Sequence, residues 1–285
     1  KIMEEIPNRY QGVVVWDIPQ HLRNNILKFC YSRSIRVYMM PKISDVIIQG
    51  ADVLHFFDTP ILLTREYPLN FEQRCIKRLI DLFCAIVLII LTSPVMLITA
   101  ILIKITDGGP VLYKQVRLTI NNKRFKIIKF RSMRVNAEAD GQARLASKHD
   151  DRITWIGKII RAVRIDELPQ LFNIVAGDMS FIGPRPERPE IIEEYMKEMP
   201  EFAFRTKVKA GLAGYAQVYG KYNTTPYDKL KLDLAYIESY STWMDIKLML
   251  LTLRVLLTPD ATEGVDDNQV TALRPEEEND ESTVQ

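Results

Sequence analysis

Residues 82–103 carry no charged side chain, reading Leu82-Phe-Cys-Ala-Ile-Val-Leu-Ile-Ile-Leu-Thr-Ser-Pro-Val-Met-Leu-Ile-Thr-Ala-Ile-Leu-Ile103. As a helix, such a run at about 1.5 Å per residue reaches about 33 Å, enough to cross a hydrocarbon core of about 30 Å. A membrane helix is therefore expected over 69–106. Ser93-Pro94 stands at its middle, where proline removes a backbone hydrogen bond and bends the chain. Basic residues flank both ends, with Arg74, Lys77 and Arg78 before and Lys104, Lys114 and Arg117 after. The positive-inside preference then places both ends on the cytoplasmic side. A single crossing would put the N-terminal and C-terminal parts of the chain on opposite faces of the membrane. A re-entrant helix broken at Ser93 and Pro94 resolves both conditions, and the hydroxyls of Thr92 and Ser93 can satisfy backbone groups at the break.

The formal net charge is only +2, but from Pro259 to Gln285 there are nine acids and one base. This stretch, 259–285, reads as an acidic disordered tail, and the body that remains is strongly basic. A basic body suits phosphate-bearing ligands or an anionic membrane surface. Cys30, Cys75 and Cys84 show neither disulfide nor metal-ligand spacing, which fits a reducing compartment.

Residues 1–68 alternate strand and helix. Val13 to Trp16 reads as a strand, Pro19 to about Tyr31 as a helix with Leu22, Ile26, Leu27 and Cys30 on one face, and Ile35 to Met40 as a second strand. Val46 to Ile48 is a short apolar stretch, and Phe56 to Leu63 reads as a last strand. The order is β-α-β, the unit of an open α/β sheet, without a glycine-rich dinucleotide turn. The chain opens on Lys1, and this part reads as the end of a truncated Rossmann-like domain. Residues 107–258 read as a mixed α/β domain in which Trp243 to Leu257 forms an amphipathic helix.

The densest constellation lies between Ile156 and Pro186. Ile156, Ile159, Ile160 and Val163 share one helical face, and Lys158, Arg161 and Arg164 fall three apart on another. This basic stripe leads into Asp166-Glu167-Leu168-Pro169. Pro169 suits the first turn of a helix through about Ala176, with Gly177 placed to end it. Adjacent carboxylates ahead of a helix N-terminus, with arginines close by, are placed to share a metal ion and stay ionised. Such a pair is also commonly a solvated cap or a salt-bridge partner. Arg185 stands between Pro184 and Pro186, which limit its backbone freedom.

From about Arg74 to Leu257 the chain resembles the bacterial polyprenyl-phosphate sugar-1-phosphate transferases, the monotopic phosphoglycosyl transferases. The resemblance is carried by Lys77-Arg-Leu-Ile-Asp81, Ser93-Pro94, Gly109-Pro110, Gln115-Val-Arg117, Lys129-Phe-Arg-Ser-Met133, Asp166-Glu-Leu-Pro-Gln170, Gly177-Asp-Met-Ser180, Gly183-Pro-Arg-Pro186 and Gly214-Tyr-Ala-Gln-Val218, in that order. It implies a mixed α/β, membrane-associated catalytic domain anchored by a re-entrant helix and preceded by the C-terminal part of a Rossmann-like domain. The implied reaction moves a sugar-1-phosphate from a UDP-sugar to undecaprenyl phosphate, starting exopolysaccharide, capsule or O-antigen assembly. Asp166 would be the nucleophile forming a phosphosugar-aspartate intermediate with release of UMP, and Glu167 would position Mg2+, which both carboxylates could ligate. Arg117, Lys129, Arg131, Arg161, Arg185 and Lys221 are the candidates for holding phosphates, because guanidinium forks bind two oxygens at once. The implied location is the bacterial inner membrane with the catalytic domain facing the cytoplasm, among its lipids and with no nucleic-acid partner.

Three positions depart from the family pattern. No glycine closely follows Arg117, Ala213 stands where threonine is usual, and Lys221 lies near a place many members give to arginine. Lysine is a point charge and cannot make the bidentate contact. Two other readings are a scaffold that keeps the fold without the chemistry, and a nucleotide-binding regulatory module resting on residues 11–65 alone. The sequence does not choose the sugar, the polysaccharide or the oligomeric state, a homodimer being among the states it allows.

Overall fold

The computed structural model describes residues 10–64, 69–135, 152–220 and 224–256. Lys221 and the acidic stretch after Pro259 lie outside the described residues.

Strands β1 (Gly12–Val15) and β2 (Arg36–Met39) pair in parallel, joined by helix α1 (Gln20–Ser32), as the β-α-β order requires. On α1 the side chains that bury are Arg23 and Cys30, whereas Leu22 and Leu27 stay exposed. Two strands cover only part of the face that periodicity marks out. The stretch around Val46 is helical, as α2 (Ile43–Gln49), and the Asp45 carboxylate accepts the Lys42 N–H at 2.8 Å while pairing with Arg23. Where alternation reads as one strand over Phe56 to Leu63, the chain makes an antiparallel hairpin of β3 (Asp52–Phe56) and β4 (Thr59–Leu63). Phe57 at the turn has a φ of 53°, which reverses the chain within two residues.

Helix α3 (Phe71–Asp107) is a single element of 37 residues. It starts where the Gln73 side chain accepts the Asn70 N–H at 2.9 Å, and ends at Gly108, whose φ of 65° suits glycine. Pro94 lies inside it and cannot donate to the carbonyl of Ile90, four residues back. The Ser93 hydroxyl donates to that same carbonyl at 2.8 Å. The serine thus supplies the hydrogen bond that the proline withholds.

The remaining elements form a mixed helix-and-sheet domain. Strands β5 (Leu112–Leu118) and β6 (Arg124–Phe130) make an antiparallel hairpin, and β7 (Ser180–Ile182) pairs in parallel with β8 (Gly211–Ala213). The helices are α4 (Trp155–Ala162), α5 (Gln170–Ala176), α6 (Pro189–Glu198), α7 (Tyr215–Tyr219), α8 (Pro226–Glu238) and α9 (Thr242–Leu256). Leu171, Ile174, Met179, Leu230, Ile237 and Leu248 sit at the centre of the core. Val46 of α2 joins it, and Gly50 meets the end of α8 so closely that a Cβ there would lie 2.6 Å from the Glu238 carbonyl oxygen.

Both ends of α3 pack on this domain. Near its start, Lys77 reaches Asp245 of α9 at 2.6 Å and the Ile182 carbonyl at 3.0 Å, while Arg78 donates to the carbonyls of Ile174 and Val175 at the end of α5. Asp81 accepts the Phe181 N–H at 3.0 Å. Near its end, Ile103 packs with Phe130, Ile156 and Ile160 in a second apolar cluster. Between these attachments Phe83, Ile90, Leu91, Leu97 and Ile98 are 58 to 70 % exposed, an apolar surface that water does not favour. By length and composition α3 is a candidate membrane-anchoring helix.

The isoleucine stripe of α4 divides. Ile156 and Ile160 are buried, but Ile159 and Val163 are exposed together with Trp155. The helix ends at Ala162, and Arg164 turns the chain with a φ of 57°.

Candidate active site

The left-handed turn at Arg164 drops the chain into a short 3-10 turn, Ile165–Glu167, which presents the two acids ahead of α5. Pro169 and Gly177 bracket α5 as the sequence led us to expect, with Gly177 at a φ of 89°. Arg78 caps the far end of α5, so α3 and the acidic pair are fixed to opposite ends of one two-turn rod.

The two acids occupy different electrostatic settings. One oxygen of Glu167, Oε1, accepts from Lys129 of β6 at 3.2 Å and from Arg185 at 3.0 Å, with Arg164 at 3.9 Å. Burial pushes the Glu167 carboxyl upward, but Lys129, Arg185 and Arg164 together outweigh it and hold the acid far below the usual carboxylate range. The Glu167 charge in turn raises Arg185, while burial lowers Lys129. Among the described residues no hydrogen bond or ion pair engages the Asp166 carboxylate. Burial and then the neighbouring Glu167 charge push it up to about 6, against the opposing pull of Lys129, Arg161 and Arg164. A carboxylate without fixed partners, ionised at neutral pH and facing cations, is the arrangement a nucleophile requires.

The other candidates are distributed around this centre. Arg161 stands within electrostatic reach of Asp166, one turn before it. Arg117 of β5 is committed to protein, donating to Gln115 Oε1 at 2.6 Å and the Pro186 carbonyl at 3.3 Å, with Glu187 at 3.9 Å. Burial lowers it to about 10, and Arg185 and Arg188 add to the effect. Arg131 is buried under Gly109, just past the end of α3; a Cβ on that glycine would lie 2.2 Å from Nη1. Ser93 and Pro94 lie within the apolar helix, away from the acidic pair in sequence and in contact.

One charged network was not legible beforehand. Glu187 pairs with Lys229 and lies 3.9 Å from both Arg117 and Arg205, and Arg205 in turn holds the buried Asp233. Burial raises Glu187, but Lys229, Arg205 and Arg117 outweigh it and bring it to about 2. Arg117 and Asp233 lie more than a hundred residues apart, so spacing carried no signal. Only the repeated arginines around Pro184 and Pro186 hinted that a counter-charge was needed.

The sequence profile of the bacterial sugar transferase family matches residues 72–259, which take in the helix, the acidic pair and the whole basic surround. The chain belongs to that family. It is 39% identical over 232 residues to the UDP-N-acetylgalactosamine-undecaprenyl-phosphate N-acetylgalactosaminephosphotransferase of Aeromonas hydrophila, covering 80% of this chain and 54% of that one. It is 38% identical over 211 residues to a UDP-glucose:undecaprenyl-phosphate glucose-1-phosphate transferase of Klebsiella pneumoniae, covering 72% and 43%. A UDP-glucose:undecaprenyl-phosphate glucose-1-phosphate transferase of Caulobacter vibrioides is 39% identical over 189 residues, covering 65% of this chain and 70% of the relative. The chain thus spans about half the length of the first two relatives.

Two carboxylates suffice for magnesium only where substrate supplies further oxygens, since this ion keeps waters and takes few protein ligands. Among the described residues no group of three or more acidic, histidine or cysteine side chains gathers as a metal cage. Were a magnesium ion held here, Asp166 would be the carboxylate open to it, because the Oε1 of Glu167 is already surrounded by cations.

Proposed function

We propose that this chain transfers a sugar-1-phosphate from a UDP-sugar to undecaprenyl phosphate. The observation that carries the reading is the unequal environment of two adjacent acids, one locked by three cations and the other unengaged. The relatives' names support the donor and acceptor classes. In the first step an Asp166 oxygen attacks the sugar-bearing phosphorus. The bond from that phosphorus to the UMP oxygen breaks, and UMP leaves with the electron pair. In the second step an oxygen of undecaprenyl phosphate attacks the same phosphorus, which frees the Asp166 carboxylate and yields the diphosphate-linked sugar. Glu167 keeps Lys129 and Arg185 at the rim of the site, where they and Arg161 face the phosphate charge. Magnesium, when bound, supplies Lewis-acid neutralisation of the diphosphate oxygens.

The helix supports a membrane reading on the cytoplasmic face. The attachment of α3 to one domain at both Lys77 and Ile103 supports a helix that enters and returns on one side, since spanning would separate those attachments. Trp243, Leu250 and Leu253 on α9 and Trp155 and Ile159 on α4 are further exposed apolar contacts for the bilayer surface. Cysteines placed at positions 70 and 108 are expected to react alike with an impermeant label, and opposite accessibility would sink the re-entrant topology. The parallel β1–β2 unit is read as the end of a Rossmann-like domain.

The chemistry is tested by incubating the protein with a panel of labelled UDP-sugars. A covalent phosphosugar adduct and UMP release are expected, with neither from Asp166→Asn. UMP release without any adduct would overturn the covalent mechanism, and neither product with any donor would favour a scaffold.

A further inference from the structure

Arg185 reaches Glu167 from a loop whose backbone is held at every step. Residues 182–187 read Ile-Gly-Pro-Arg-Pro-Glu, and neither proline has an N–H with which to join a ladder. The carbonyls take that part instead. Gly211 of β8 donates to the Pro184 carbonyl at 2.9 Å, and Leu118 of β5 to that of Glu187 at 3.2 Å. Arg117 donates to the Pro186 carbonyl at 3.3 Å. The carbonyl of Arg185 itself accepts from Arg205 at 3.2 Å. Four consecutive carbonyls thus meet four separate donors, two of them arginine side chains.

Arg205 stands on the 3-10 stretch Pro200–Lys207 and is 4 % exposed, so it does not itself meet substrate. Its guanidinium divides its nitrogens among three groups. Nε binds the Asp233 carboxylate of α8 at 2.5 Å, Nη1 lies 3.9 Å from Glu187, and Nη2 points to the Arg185 carbonyl. The guanidinium lies over the Phe202 ring at 4.8 Å, and Phe202 and Asp233 are both fully buried. A buried ion pair kept for stability alone gains most from a bidentate contact. Here one arm of the fork is turned from the acid to a backbone carbonyl, and the planar group fixes the angle between the two bonds. Asp233 and Phe202 hold Arg205, and Arg205 holds the backbone at Arg185.

We propose that Arg205 is a positioning residue, which aims the Arg185 guanidinium by gripping its main-chain carbonyl. This role rests on the transfer reaction proposed above, in which Arg185 faces phosphate charge. A displacement of about 1 Å at such a group costs roughly a hundredfold in rate. Lysine at 205 keeps the positive charge, but its single nitrogen cannot serve Asp233 and the Arg185 carbonyl together.

The test compares Arg205→Lys with the parent chain in lipid nanodiscs, by single-turnover adduct formation from a panel of labelled UDP-sugars and by hydrogen–deuterium exchange. Arg205→Lys is expected to slow adduct formation roughly a hundredfold. The half-saturating donor concentration should stay within about threefold, because Lys129 and Arg161 still meet the diphosphate. Deuterium uptake is expected to rise at 183–188 and 208–214 and to keep the parent's level in α5 and α8. Asp233→Asn still offers an oxygen to Nε, so its adduct formation should stay within about threefold of the parent. An unchanged rate or unchanged uptake at 183–188 in Arg205→Lys would overturn the proposal. So would uptake that also rises through α8, or a hundredfold loss in Asp233→Asn. Should Arg205→Lys not fold, Arg205→Gln is measured with the same expectation, and failure of both to fold would make Arg205 a core residue and sink the positioning role. A parent that forms no adduct with any donor refutes the transfer reaction, and the grip of Arg205 on the loop is then decided by exchange alone.

Discussion

Asp166 and Glu167 are neighbours in sequence with opposite thermodynamic signs. The folded chain raises the Asp166 carboxyl, so the fold binds its proton more readily than the unfolded chain does. Stability from this group is present at low pH and is lost as pH rises from 3.8 through about 6. At neutral pH the ionised, part-buried side chain costs the fold on the order of 1–2 kcal/mol. Asp166→Asn is therefore expected to abolish the adduct yet raise the melting temperature in magnesium-free buffer. Glu167 is held low, so its contribution is present above the ordinary carboxylate value and is lost only as pH falls through the depressed one. Glu167→Gln leaves the half-buried Lys129 and Arg185 without their counter-charge, and a loss of about 1–3 kcal/mol is expected in denaturant unfolding. If both variants shifted stability in the same direction, the assignment of nucleophile and support would be wrong. Sequence alone showed an acidic pair in a basic setting; which oxygen each cation chooses depends on β6 and the Pro184–Pro186 loop folding over the turn.

Among the elements, α3 was the most legible and also the most altered by packing. Its uncharged run announces a membrane helix, because hydrocarbon tolerates no unpaired charge over that length. The structure adds the Ser93 hydroxyl on the Ile90 carbonyl, the group that Pro94 leaves without a donor. Ser93→Ala is expected to cost about 1–3 kcal/mol in nanodisc unfolding, the penalty of an unsatisfied carbonyl away from water. Pro94→Ala should largely rescue Ser93→Ala, since it restores the backbone donor; no rescue would show that the serine acts elsewhere. Helix α4 teaches the reverse lesson. Its isoleucines and Val163 share a period, but only those facing Phe130 and Ile103 bury, and periodicity cannot say how wide the covering neighbour is.

At the scale of the molecule, the buried Lys77–Asp245 pair ties α3 to α9, with Tyr236 and Tyr240 also donating to the Asp245 carboxylate. Lys77→Met is expected to destabilise by about 3–5 kcal/mol, and Lys77→Met with Asp245→Leu to recover much of that loss, since removing both charges leaves none buried alone. Additive losses in the double variant would mean that the two residues are not coupled. Ordered motifs, the apolar run, the helix-bracketing Pro169 and Gly177 and the family itself were determined by sequence, because each is a local pattern with a local physical cause. Tertiary structure decided the commitment of Arg117 to Glu187, the gathering of Arg205, Lys229 and Asp233 around it, and the return of both ends of α3 to one domain. It also decided that the acids of one pair should differ. Charges act through space, and only the folded chain sets the distances and the burial on which their strength depends.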